Sequence, residues 1–98
     1  MTYIIETWDK KDHQNLRNQL TLQHHAYLNQ QLTCLIASAD KVNENSGVVT
    51  GSFYIINVKN HLEAQQFIQA DPLFVEGLLQ KIKIERLSMQ HADKSILM

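Results

Sequence analysis

Only one cysteine, one proline and three glycines occur among these 98 residues. The lone Cys34 excludes an internal disulfide and suits a reducing compartment. It stands in TCLIA, a strand-like setting where a thiol packs as a small hydrophobe, so it is not read as a nucleophile. Net charge is also scarce, at −1 with His neutral, which leaves no electrostatic footprint for a nucleic-acid backbone. Lys10, Lys11, Arg17, Lys81, Lys83 and Arg86 are interspersed with acids and read as solvated surface. No stretch approaches the ~20 apolar residues a membrane span needs. The apolar start TYII breaks at Glu6 and is too short for a signal peptide. A soluble cytoplasmic protein is expected, with no nucleic-acid or membrane partner.

Ligand motifs are equally thin. The histidines at 13, 24, 25, 61 and 91 form no His-x-x-x-His pair and have no Cys pair beside them, so no metal site is expected. Thr50-Gly51-Ser52 has too few glycines for a phosphate cradle, and Gly51 instead marks a bulge or a close approach within a strand. No cofactor is expected.

What remains is a clear succession of elements in a single domain, with a core at about 2–88 and a tail at 89–98. TYIIETW (2–8) is a first strand, rich in β-branched and aromatic residues. Leu16, Leu20, His24, Leu28 and Leu32 then recur every four residues, joined by Tyr27 and Leu35, which predicts one inward face of a helix. CLIASADKV (34–42) and VVTGSFYIINV (48–58) are strands around a NENSG loop. Asn60 and Glu63 form a variant capping box ahead of a second helix, which carries Ala64, Phe67 and Ile68 on one side. Asp71-Pro72 opens a short apolar turn that ends near Gly77, and KIKIERL (81–87) is the last strand.

The order β-α-β-β-α-β predicts an α+β, ferredoxin-like fold: a four-stranded antiparallel sheet with its helices on one face. In KIKIERL only Ile82 and Ile84 are apolar, so Lys81, Lys83 and Glu85 suit an edge strand. SFYIINV differs, with Phe53 and Ile55 on one face and Tyr54 and Ile56 on the other. A two-layer monomer would leave one of those faces wet. A second copy packed sheet to sheet resolves this, so a homodimer is expected.

Two ionisable residues lie on inward faces. His24 interrupts a stripe of leucines, where a buried imidazole requires a hydrogen-bond partner. It reads either as a structural histidine or as an acid–base group, imidazole being the side chain that titrates near neutrality. His25 points about 100° further round, towards solvent. Asp71 reads as a helix N-cap before Pro at N1. It also continues the 3-4 spacing of Ala64, Phe67 and Ile68, and a capping carboxylate has lone pairs left for an imidazole N–H. Together they would form an acid–base unit fit for proton transfer. No Ser or Cys is placed to complete a nucleophilic triad. Trp8 and Tyr54, each with a polar atom to satisfy, are candidate pocket walls.

The sequence resembles the YciI-like family of the dimeric α/β-barrel superfamily over about residues 3–87. The likeness is carried by Asp9-Lys10, Arg17, His24-x-x-Tyr27-Leu28, Thr50-Gly51-Ser52, Glu63-Ala64 with Phe67, and Ala70-Asp71-Pro72. It implies a fold similar to muconolactone isomerases and small monooxygenases, with a family active site that maps onto His24 and Asp71. Arg17, Tyr27 and Ser52, with Tyr54, become candidate ligand-binding residues. Some relatives remove halogen from aromatic compounds. The implied activity is cofactor-independent proton transfer, isomerisation or elimination on a small cyclic or aromatic molecule; the alternative is a non-catalytic binding or assembly module. Two departures stand out. Thr21 replaces an Arg common three residues before the histidine, which removes a rigid clamp for an anionic group. Ser38-Ala39-Asp40 replaces a common Gly-Pro at the end of the second strand.

Overall fold

The computed structural model describes residues 1–91; the rest of the expected tail, 92–98, lies outside them. Elements follow as β1 (Thr2–Asp9), α1 (Gln14–Gln30), β2 (Leu35–Val42), β3 (Val49–Asn57), α2 (His61–Gln69), α3 (Pro72–Val75) and β4 (Leu79–Leu87). The strands form one antiparallel sheet in the order β2-β3-β1-β4, so β4 is the edge strand its charges suggested. The ferredoxin-like arrangement expected from the element order is the one found.

Register fixes which side chains face the helices. Ile5 pairs with Tyr54 and Ile84, Tyr3 with Ile56, and Thr7 with Ser52 and Ile82. Tyr3, Ile5, Tyr54 and Ile56 pack with Leu28 of α1 and with Ala64, Phe67 and Ile68 of α2. A second cluster joins Leu20, Leu73 and Leu78. Each Leu, Ile or Phe among them, fully buried, contributes about 1.5–3 kcal/mol. On α1, His24 falls between Leu20 of one cluster and Leu28 of the other.

The opposite face presents Ile4, Trp8, Phe53 and Ile55, all half-buried, beside the exposed Lys81, Lys83 and Glu85. No helix among the described residues covers it, and none is long and apolar enough to cross a membrane.

Several local expectations need correction. The buried stripe of α1 is Arg17, Leu20, His24 and Leu28. Leu32 is exposed because the helix has ended, and Leu35 belongs to β2. Arg17 is buried rather than part of the solvated surface. Asn60 accepts from the Glu63 N–H at 3.0 Å, but the Glu63 carboxylate returns to Lys59 N–H at 2.8 Å, one residue before the cap.

Candidate active site

Asp71 organises the site. Its backbone is extended and its Oδ1 accepts the Leu73 N–H at 2.9 Å, an N-cap with Pro72 as the first helical residue. The same carboxylate, fully buried, accepts the Tyr54 hydroxyl proton at 3.0 Å and lies 2.9 and 3.0 Å from His24 Nδ1. It is thus both cap and imidazole partner. A carboxylate that already accepts from Leu73 and Tyr54 makes Nδ1 the donor, so in the neutral ring Nε2 carries the lone pair. Nε2 has no hydrogen bond among the described residues, where every buried side-chain N or O atom is bonded. It therefore opens onto the cleft beside it.

That cleft lies between α1 and edge strand β2. It has a volume of about 240 Å³ and is lined by His24, His25, Leu28, Ser38, Asp40 and Tyr54. A second hollow of about 150 Å³ adjoins it, sharing His24, His25 and Asp40 and reaching Arg17 and Thr21. Tyr54 closes the inner end. Burial, then the charge of Asp71, pushes its phenol far above the ordinary value, so the hydroxyl is a fixed donor at neutral pH.

Arg17 forms a second polar knot. Its Nε–H and one NH2 group donate to the two oxygens of Asp9, the latter at 3.0 Å, and NH2 also donates to Ser52 Oγ at 2.9 Å. Its remaining nitrogen lies 3.5 Å from Asp40. Burial alone would disfavour the charge, but the hydrogen bond and charge of Asp9, then Asp40, outweigh it and raise the guanidinium above its usual range. Thr21, at the departure from the family pattern, turns its hydroxyl back onto the Arg17 carbonyl at 3.0 Å.

The candidates do not all meet. His24, Asp71 and Tyr54 are in contact, and Arg17 lines the adjoining hollow with Ser52 behind it. Tyr27 stands apart: its hydroxyl donates to the Phe67 carbonyl at 2.6 Å, and it lines a different depression beside Cys34. Burial, then Asp71, pushes its phenol up to about 12. Trp8 is not a wall of the His24 cleft; it lies on the open face of the sheet with Lys41 and Lys81 over its ring. Cys34 is half-buried and burial raises its thiol, which disfavours the thiolate. Sequence reasoning missed Asp40, Ser38 and His25 as cleft residues. The signal available was the replaced Gly-Pro segment, which puts a carboxylate on β2 opposite Ser52. A groove of about 310 Å³ between α2, α3 and β4 has His61 as its one titratable group and no acid–base pair.

This arrangement sits within a chain whose residues 1–88 match the model of the YCII-related domain. The protein belongs to the YCII-related family. The family resemblance read from the sequence therefore holds, and the solved structures agree on the fold. The chain is similar to 5-chloro-2-hydroxyhydroquinone dehydrochlorinase from Burkholderia phenoliruptrix AC1100, solved in complex with 2,5-dihydroxybenzoquinone. That similarity has a TM-score of 0.86 at 23% identity, covering 92% of this chain and 96% of that one. It is also similar to PA3566 from Pseudomonas aeruginosa, at a TM-score of 0.54 and 15% identity over 92% and 93% of the two chains. No curated protein sequence matches this YCII-related chain.

Proposed function

We propose that this protein is an enzyme of proton transfer, acting by isomerisation or elimination on a small ring compound held over His24. His24 Nε2 is the general base, and in its protonated form the acid; Asp71 fixes the tautomer and stabilises the imidazolium that forms. Tyr54 and Leu73 N–H hold the carboxylate in place. Such a step moves a proton between substrate and imidazole and requires no cofactor. One observation carries the reading: a buried carboxylate bonds Nδ1 while Nε2 opens onto a cleft sized for one ring. The fold is shared with a dehydrochlorinase, which puts elimination of hydrogen halide first among the reactions to test.

The working unit in this proposal is a homodimer in the cytoplasm, with sheets stacked on their open faces. Half-buried Ile4, Trp8, Phe53 and Ile55 on a face without helices support it.

The test is a panel of halogenated hydroxy-aromatic compounds and unsaturated lactones, followed by halide release and ultraviolet absorbance. Turnover is expected, and His24→Gln should lower it by about 10²–10⁴-fold while the circular dichroism spectrum is unchanged. Equal rates in wild type and His24→Gln would overturn the proposal. Ligand binding that survives the substitution, with no turnover in either protein, would favour a binding module.

A further inference from the structure

We propose that the cleft selects its ligand by charge, taking small cationic ring compounds before neutral ones and rejecting anions, and that Asp40 is the residue that reads the charge. The inference rests on the reading above that the ligand lies over His24.

The charge inventory of the cleft carries it. Arg17 is the guanidinium within reach, and it is already spent. Asp9 takes its Nε–H and one NH2 group, Ser52 shares that NH2, and the remaining nitrogen faces Asp40. Thr21 adds no donor, because its hydroxyl is turned onto the helix backbone. Three carboxylates, Asp9, Asp40 and Asp71, thus stand against one guanidinium, with two imidazoles, His24 and His25, at the opening. An arriving carboxylate or phenolate finds no unpaired cation to replace its lost hydration.

Asp40 is the acid that meets the ligand. Asp9 and Asp71 are buried behind Arg17 and His24, whereas the Asp40 side chain is 51% exposed. It lines both hollows and so stands where they join. Its Oδ1 leans towards Arg17, and its Oδ2 has no partner among the described residues. It pairs with Ser52 in the ladder, so its Cβ is fixed on the helix side of the sheet. An ammonium or hydroxyl group on a ring beside Nε2 meets this oxygen; a carboxylate there meets like charge.

Three probes of one skeleton separate the cases: benzylamine, benzyl alcohol and benzoate, titrated against the His24 and His25 ring signals by NMR. Wild type is expected to bind benzylamine most tightly and benzoate at least about tenfold more weakly, a gap that about 0.5 M salt narrows. Asp40→Asn, at an exposed position, should fold normally and shrink the amine-to-benzoate ratio about fivefold, partly by freeing the Arg17 edge for the anion. His24→Gln, read instead through the Tyr54 and His25 signals, should keep the ranking. The proposal is overturned if benzoate matches benzylamine in wild type, if Asp40→Asn leaves the ratio unchanged, or if no probe binds at millimolar concentration. A ranking that holds while His24→Gln retains full turnover would instead count against the acid–base reading alone.

Discussion

At the scale of single residues, Asp71 connects backbone, sheet and helix. Its two oxygens serve the Leu73 N–H, the Tyr54 hydroxyl and His24 Nδ1–H with no exposure to water. Asp71→Asn keeps the shape but replaces one acceptor oxygen by a donor NH2, leaving a buried donor unmatched. A loss of about 1–3 kcal/mol in urea denaturation is expected. A change under about 0.5 kcal/mol would mean that the bonds are not made in solution. Tyr27 offers a test with a defined sign. Its folded-state value, pushed up to about 12, lies above the ordinary phenol value near 10, so the native state keeps a proton that the unfolded chain gives up. The associated stability is complete below pH 10 and is lost as pH rises towards 12. Tyr27→Phe should flatten that alkaline fall, by at most about 1.4 kcal/mol per pH unit and by less where water screens the half-buried ring. The substitution also removes the bond to the Phe67 carbonyl, but that lowers stability at every pH and leaves the slope alone. Of these residues, the inward direction of His24 and Asp71 was legible because both continue an apolar periodicity. Their 2.9 Å approach was not, since it depends on how α1 and α3 pack. Asp40 was illegible for a related reason: strand alternation assigns a face, but not the guanidinium 3.5 Å away.

At the scale of elements, the tightest constraint is the β1–β3 seam below the site. Gly51 pairs with Trp8, and a Cβ built there would lie 2.0 Å from the Thr7 carbonyl oxygen and 2.7 Å from Lys41 Cε. Lysine can swing away; a ladder carbonyl cannot. Gly51→Ala should therefore cost about 3 kcal/mol or more and spread β1 from β3, measurable as a drop in urea midpoint. It should also disturb the Thr7–Ser52 contacts, because Ser52 N–H donates to Thr7 Oγ1 from the next position. A midpoint within error of wild type would show that the strands separate freely there. Both readings that a mid-strand glycine allowed apply here: its Cβ position meets the Thr7 carbonyl, and the β2–β3 register shifts beside it, between Lys41 and Val42. Strand alternation made β3 and β4 plain, and the 3-4 spacing made α1 plain as far as Leu28. Leu32 continued the pattern beyond the end of the helix, because no Gly or Pro marks the stop. The chain leaves α1 through a turn in which the Cys34 and Leu35 N–H groups both bond the Gln31 carbonyl. Backbone closure of this kind leaves little trace in side-chain pattern.

At the scale of the whole molecule, the uncovered sheet face sets the last expectation. Four strands about 4.8 Å apart and some eight residues long present roughly 500 Å². Two such faces stacked bury about 1,000 Å², near the lower limit for a specific interface. A dimer of that size depends on its central side chains, and Phe53 and Ile55 of interior strand β3 are the apolar groups there, with Ile4 beside them. The flanking Lys81, Lys83 and Glu85 of β4 supply a polar rim. Phe53 points away from the helix-side core, so Phe53→Lys can place a charge in the seam without unfolding the subunit. Sedimentation at tens of micromolar is expected to give twice the chain mass for wild type and the single chain mass for Phe53→Lys, with matching circular dichroism spectra. Wild type sedimenting as one chain at that concentration would rule out the stacked-sheet assembly. The His24 cleft, on the opposite side of the sheet, would then belong to a complete monomer.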